Sequence, residues 1–129
     1  MKLNVNCIRD VLLELEKLPF QQSCSISNLT DALPKYEPDD ITYTCLKLAE
    51  AGYINIKTIQ NIAMSNPIIR SVEDITYEGH QFLANIRSDT VWSNIKEVSK
   101  KVGSNSISAI SQIATGVITE IIKAQLGLP

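Results

Sequence analysis

A chain of 129 residues, 44% hydrophobic and 20% charged, carries enough apolar mass for one core and leaves no room for a second full domain. Its formal net charge of -2 argues against a surface that acts as a general sink for phosphates, although a local basic patch fits within that total. Three cysteines at wide spacings, Cys7, Cys24 and Cys45, fit reduced, core-packed thiols better than a disulfide framework.

From the N-terminus, Asn6 is placed to cap a first helix in which Ile8, Val11, Leu12 and Leu15 recur on one face, and Pro19 ends it. A strand stub is expected at Cys24 to Ile26, followed by a short helix capped by Ser27 that buries Leu29, Ala32 and Leu33. Pro34 stops that helix. Pro38 starts the next one, with Asp39 and Asp40 at the positive end of its dipole and Gly52 at its close. Ile41, Cys45, Leu48 and Ala49 gather on its inner side, leaving Asp39, Tyr43, Leu46, Lys47 and Glu50 outward.

Tyr53 to Ile59 and Ile68 to Ile75 read as two strands joined through Gln60 to Pro67, with Asn66-Pro67 as a turn element. Thr76 caps a helix that turns Phe82, Leu83 and Ile86 inward. A further helix begins at Asp89 or Thr90, with Val91, Ile95, Val98 and Val102 as its stripe and Trp92 beside them, and Gly103-Ser104-Asn105 breaks it. The last segment, Ser106 to Leu126, spaces Ile107, Ile110, Ala114, Val117, Ile121 and Ala124 by threes and fours. A stripe this wide has three ways to be covered: its own domain, a second copy, or a membrane surface. The polar face, made of Ser, Thr and Gln, lacks the Lys and Arg of interfacial helices, which places the membrane last.

The expected architecture is mainly α with a small β-hairpin, a winged helix-turn-helix core over residues 1–88 and a C-terminal helical extension over 89–129 that self-associates. Nothing at the N-terminus resembles a signal peptide, and no run approaches the roughly 18 apolar residues of a spanning helix, so the cytoplasm is the expected location.

The opening Met1-Lys2-Leu3-Asn4 and Cys7-Ile8-Arg9-Asp10, the helix end Leu48-Ala49-Glu50-Ala51-Gly52-Tyr53-Ile54, and Ile75-Thr76-Tyr77-Glu78-Gly79-His80-Gln81-Phe82-Leu83, with Asn85 to Asp89 and Trp92, together resemble an uncharacterised domain-of-unknown-function family of Gram-positive bacteria and their prophages. The resemblance covers nearly the whole chain. It implies a winged-helix core and a phage or mobile-element setting, and it assigns no activity and no site residue.

Winged helices most often grip DNA, but base reading needs Arg, Lys, Asn or Gln on the exposed helix face. That face offers Lys47 with Tyr43 and Leu46, and Ser27 to Gly52 holds five acids against two lysines. A Tyr43, Leu46 and Lys47 cluster rimmed by acids fits a protein partner better. In the hairpin only Lys57 and Arg70 are basic, whereas Lys96, Lys100 and Lys101 concentrate charge further on and could touch phosphates from outside the second helix. Self-association is assigned to Ile107, Ile110, Ala114, Val117 and Ile121. No nucleophile motif, phosphate loop or metal-ligand spacing surrounds the lone His80, so neither catalysis, cofactor nor metal is expected. The expected function is that of a phage-type accessory or regulatory protein that acts by binding, either as a DNA-binding regulator or as a protein-interaction module.

Overall fold

The computed structural model describes residues 1–59 and 68–129, where the chain forms α1 (Val5–Glu16), α2 (Ile26–Ala32), α3 (Pro38–Glu50), β1 (Ile54–Ile59), β2 (Ile68–Ile75), α4 (Tyr77–Ile86), α5 (Asp89–Val102) and α6 (Ile107–Leu126). The fold is mainly helical with one small antiparallel hairpin, as its periodicities require. The turn expected at Asn66-Pro67 lies outside the described residues.

Helix α1 forms because Cys7, Ile8, Val11, Leu12 and Leu15 fall on one face, and all five are buried. Burial of each large aliphatic contributes on the order of 1.5–3 kcal/mol. The cap is Asn4 and not Asn6: the Asn4 side chain accepts from the Cys7 N–H at 3.2 Å. Asn6 instead turns its Oδ1 across to α5, where Lys96 Nζ donates at 3.2 Å and Trp92 Nε1 lies at 3.4 Å.

The expected strand stub reduces to Cys24 alone, which exchanges two backbone hydrogen bonds with Val72. Ser25 then begins α2, two residues before a Ser27 cap could act. Its hydroxyl accepts from the Asn28 N–H at 3.0 Å while Asn28 Oδ1 accepts from the Ser25 N–H at 3.1 Å. This reciprocal box satisfies two donors that a helix start leaves orphaned. Leu29 and Leu33 are buried, whereas Ala32, which sits about 100° round from Leu33, is exposed.

Helix α3 buries Ile41, Thr44, Cys45 and Leu48, and Gly52 at φ +83° turns the chain out of it into β1. Strand pairing runs from Ile54↔Ile75 to Ile59↔Ile68, with register shifts after Asn55 and Lys57 that leave Glu73 and Arg70 as the extra residues of β2. Thr76 ties the hairpin to α4. Its hydroxyl donates to the Gly52 carbonyl at 2.6 Å and accepts from the Gly79 N–H at 3.0 Å, while its own N–H donates to the Tyr53 carbonyl. Gly79 is required for space: a Cβ there would stand 2.0 Å from the Tyr53 carbonyl oxygen and 2.6 Å from an Ile75 methyl. The Thr-x-x-Gly spacing is therefore a packing device that lets α4 start against the base of the hairpin.

Phe82, Leu83 and Ile86 of α4 are buried, with Phe82 stacked on Tyr53 at 4.9 Å between ring centroids. Gly103, at φ +79°, ends α5, and Ser106 caps α6, so the two helices fold back on each other as an antiparallel pair. In α5 the buried sector is Val91, Trp92, Ile95 and Ser99. The inward stripe expected to continue through Val98 and Val102 does not: they are 37% and 63% exposed, because the inward sector is filled by Trp92 and Ser99 and Val98 comes to its edge. Val91, Trp92, Ile95, Ile107, Ile110 and Ala114 belong to the same hydrophobic core as Ile8, Leu12, Leu48 and Leu83. The segment from residue 89 on thus shares the main core through the first turns of α6.

Candidate functional site

The outward residues of α3 are less open than a single helix suggests. Tyr43, Leu46 and Lys47 are all half-buried, and Leu46 packs against the edge of the core. Leu3 from the N-terminal arm and Ser106 and Ile107 from the start of α6 close round Tyr43, Lys47, Glu50 and Ala51 to form a cleft of about 400 Å³. Lys47 is committed inside this arrangement. Its Nζ lies 2.9 Å from Glu50 Oε2 and 5.3 Å from the centre of the Tyr43 ring, and the bond to Glu50 holds its pKa above the ordinary lysine value. Asp39 and Asp40 stand at the helix start. This face presents one neutralised lysine among carboxylates.

The remaining basic residues divide into two sets. Lys57 pairs with Glu73 at 3.7 Å, while Arg70, on its bulge, is exposed without a carboxylate partner among the described residues. Lys96, Lys100 and Lys101 also make no ion pair there, but α5 separates them. Lys96 and Lys100 line a cleft of about 320 Å³ with Leu3, Asn4, Val5, Asn6, Ser99 and Asn105, and Lys101 looks into a different groove. Sequence reasoning missed two cations, Arg9 and Lys35, which line a separate cleft of about 290 Å³ with Asn6, Asp10, Asp89, Trp92 and Lys96. Arg9 donates to the Ile86 carbonyl at 3.0 Å and to Asp89 at 2.7 Å, and Lys35 pairs with Asp10 at 3.0 Å. Asp10 also accepts from Tyr36, whose ionisation is pushed up by burial and by that carboxylate. Pairs formed across some twenty-five to eighty positions leave no local spacing by which to find them.

The residues assigned to self-association split along α6. Ile107, Ile110 and Ala114 are 8%, 0% and 0% exposed, held in the chain's own core. Val117 is half-buried and Ile121 is 38% exposed, and beyond them Ile122 and Leu126 are still more open. Between α5 and α6 runs a mainly apolar groove of about 650 Å³, walled by Val98, Ile113, Gly116, Val117 and Ile121, with Lys101 and Glu120 among its polar residues.

His80 is exposed beside a cleft of about 510 Å³ that also holds Glu16, Glu73 and Asp74. Each of these carboxylates has a partner: Glu16 receives both terminal nitrogens of Arg87, Glu73 accepts from Ser71 at 2.8 Å, and Asp74 accepts from Asn55 at 2.9 Å. Among the described residues no group of three or more His, Cys, Asp and Glu side chains is placed to hold a metal ion. Cys7 and Cys45 are buried and Cys24 partly so, all as free thiols; burial pushes Cys45 up to about 12, so its thiolate is suppressed.

The family described as "Hypothetical protein (DUF2513)" matches residues 2–105, which span α1 to α5 and leave α6 outside. An uncharacterized protein of Haemophilus influenzae is 31% identical over 123 residues, covering 95% of this chain and 99% of the relative. No solved structure matches the chain. The match over most of its length, from the first helix to the end of the fifth, makes this chain a member of the DUF2513 family.

Proposed function

We propose that the protein is a winged helix-turn-helix module that acts by binding other proteins in the cytoplasm, as an accessory or regulatory component of the phage type, and not by catalysis. Support for the winged helix comes from the order α1, Cys24 bridge, α2, α3, β1, β2, in which Cys24 pairs with Val72 at the side of the hairpin. In that arrangement α3 takes the place of the groove-entering helix. One observation carries the choice of a protein partner: the outward side of α3 is half-covered by Leu3, Ser106 and Ile107, and its lysine is neutralised by Glu50. A helix so placed offers few donors to base edges and presents carboxylates to phosphates. The setting rests on the resemblance to prophage proteins, and the absence of catalysis on the lack of an assembled nucleophile and base among the described residues.

DNA binding is the second reading, favoured by the cations without carboxylate partners among the described residues, Arg70, Lys96, Lys100 and Lys101. Fluorescence anisotropy of the full chain against mixed duplex fragments, at low and then moderate salt, separates the two. The protein-binding reading expects weak association that vanishes at moderate salt. Tight binding that survives would overturn it, and replacement of Lys96, Lys100 and Lys101 by Ala would then flatten the salt slope if those lysines hold the phosphates.

A further inference from the structure

We propose that the groove between α5 and α6 is covered by a second copy of this chain, lying end for end so that the two helix pairs form an antiparallel four-helix bundle. The proposal deepens the protein-binding reading by naming a partner and a surface.

Helix α6 is covered unequally along its length. Its first two turns root in the core through Ile107, Ile110 and Ala114, while along the groove Ile113 and Val117 are half-buried and Gly116 and Ile121 are exposed. Val98 brings a further exposed aliphatic to the same groove from α5. Aliphatic side chains from both helices thus line one groove on the surface of the domain. Gly116 sits in the middle with nothing within 4 Å of where a Cβ would be, so another helix can approach its backbone closely.

Charge favours a second copy as the occupant, the groove carrying Glu97 and Lys101 on α5 and Glu120 on α6. Lys101 stands two residues from the turn that joins the helices, and Glu120 stands about 20 Å along α6 from that turn, so the two mark opposite ends of the groove. Reversing a second copy about a two-fold axis across the helices brings its Lys101 end to the Glu120 end of the first, and the symmetry repeats the pairing at the other end. Lys101 makes no ion pair among the described residues of its own chain, and the contact that Glu120 makes with Lys123 is a loose 3.8 Å. The face is about 20 Å long and two helices wide, on the order of 400 Å² per copy and roughly 800 Å² between two copies, the size of a weak, reversible contact. Association should therefore depend visibly on concentration.

The alternative cover, a membrane, fits less well. Helix α6 is long and apolar enough to cross one by length and composition. Insertion would, however, withdraw Ile110 and Ala114 from the core, and no basic flank awaits lipid headgroups on its Ser, Thr and Gln face.

Light scattering of the full chain over a micromolar concentration series should show a mass rising from 14.3 kDa towards twice that value. Lys101→Glu and Glu120→Lys, both at exposed positions, should each weaken dimerisation about five- to tenfold, and the double exchange should restore it. A monomer at every concentration, single variants with unchanged association, or a monomer that co-sediments with phosphatidylglycerol vesicles would each overturn the proposal. Failure here is distinct from failure of the wider reading: a monomer that ignores duplex DNA removes the dimer alone, whereas salt-resistant duplex binding removes the protein-binding reading whatever the mass.

Discussion

The first and second halves of α6 carry the same kind of residue and meet different surroundings. Ile110 is fully buried among the core helices; Ile121, three turns further on in the same stripe, is 38% exposed. Periodicity of apolar residues states that a face is to be covered, and this contrast shows that it leaves open what covers it. The neighbours decide: α4 and α5 pack beside the beginning of α6, and α5, at 14 residues, is about 9 Å shorter than the 20-residue α6 it runs against.

The packed side of that contrast is tightest where α4 meets the hairpin, so the largest effect belongs there. Gly79→Ala should cost about 3 kcal/mol or more, because its methyl would fall on the Tyr53 carbonyl, and backbone does not yield as a side chain can. A thermal melt close to wild type would show that this junction can open by the width of a methyl group. Within α6 itself, Ile110→Ala should cost about 2–5 kcal/mol and Ile122→Ala no more than about 0.5 kcal/mol in urea unfolding. Equal losses would erase the distinction between the two halves.

The smallest effect concerns the surface of the packed body, where Glu16 joins α1 to the end of α4 through Arg87. The hydrogen bond from Arg87 lowers the Glu16 pKa below its ordinary 4.5. A carboxyl depressed in the folded state binds fewer protons there than in the unfolded chain, so its contribution is present above 4.5 and fades as pH falls through the folded value. Glu16→Gln should remove that contribution, and its difference from wild type should be seen in melts at neutral pH and shrink in acid. The size should be that of an exposed ion pair. A difference that grew on acidification would reverse the assignment.

Much of the fold was legible because its signals are local. The α1 stripe, Pro38, Gly52, the two strand cores, the Thr76 cap and the Gly103 break are each set by a residue and its near neighbours. The start points that moved, from Asn6 to Asn4 and from Ser27 to Ser25, lie where two capping residues compete within a few positions and long-range contacts choose: Asn6 is drawn to Lys96 and Cys24 to Val72. The candidate surfaces were less legible. Tyr43, Leu46 and Lys47 sit on the outward arc of α3 when that helix is drawn alone, and only the path of the N-terminal arm and the start of α6 shows them to be half-covered. Lys96, Lys100 and Lys101 form one cluster in sequence and face two different clefts in space, because about 100° of rotation separates consecutive residues. Val117 and Ile121 remain open while Ile107, Ile110 and Ala114 do not, a division that depends on where neighbouring helices end.

Thr76 has a consequence for how the molecule comes apart. One hydroxyl closes the chain reversal after α3 and also holds the first turn of α4, and the adjacent N–H anchors to the same stretch at Tyr53. The hairpin cannot open at its base without releasing the start of α4, nor can α4 fray from its first turn without loosening the hairpin. Two elements that are separate in shape are therefore one unit of cooperativity, opening and closing together during the chain's breathing motions.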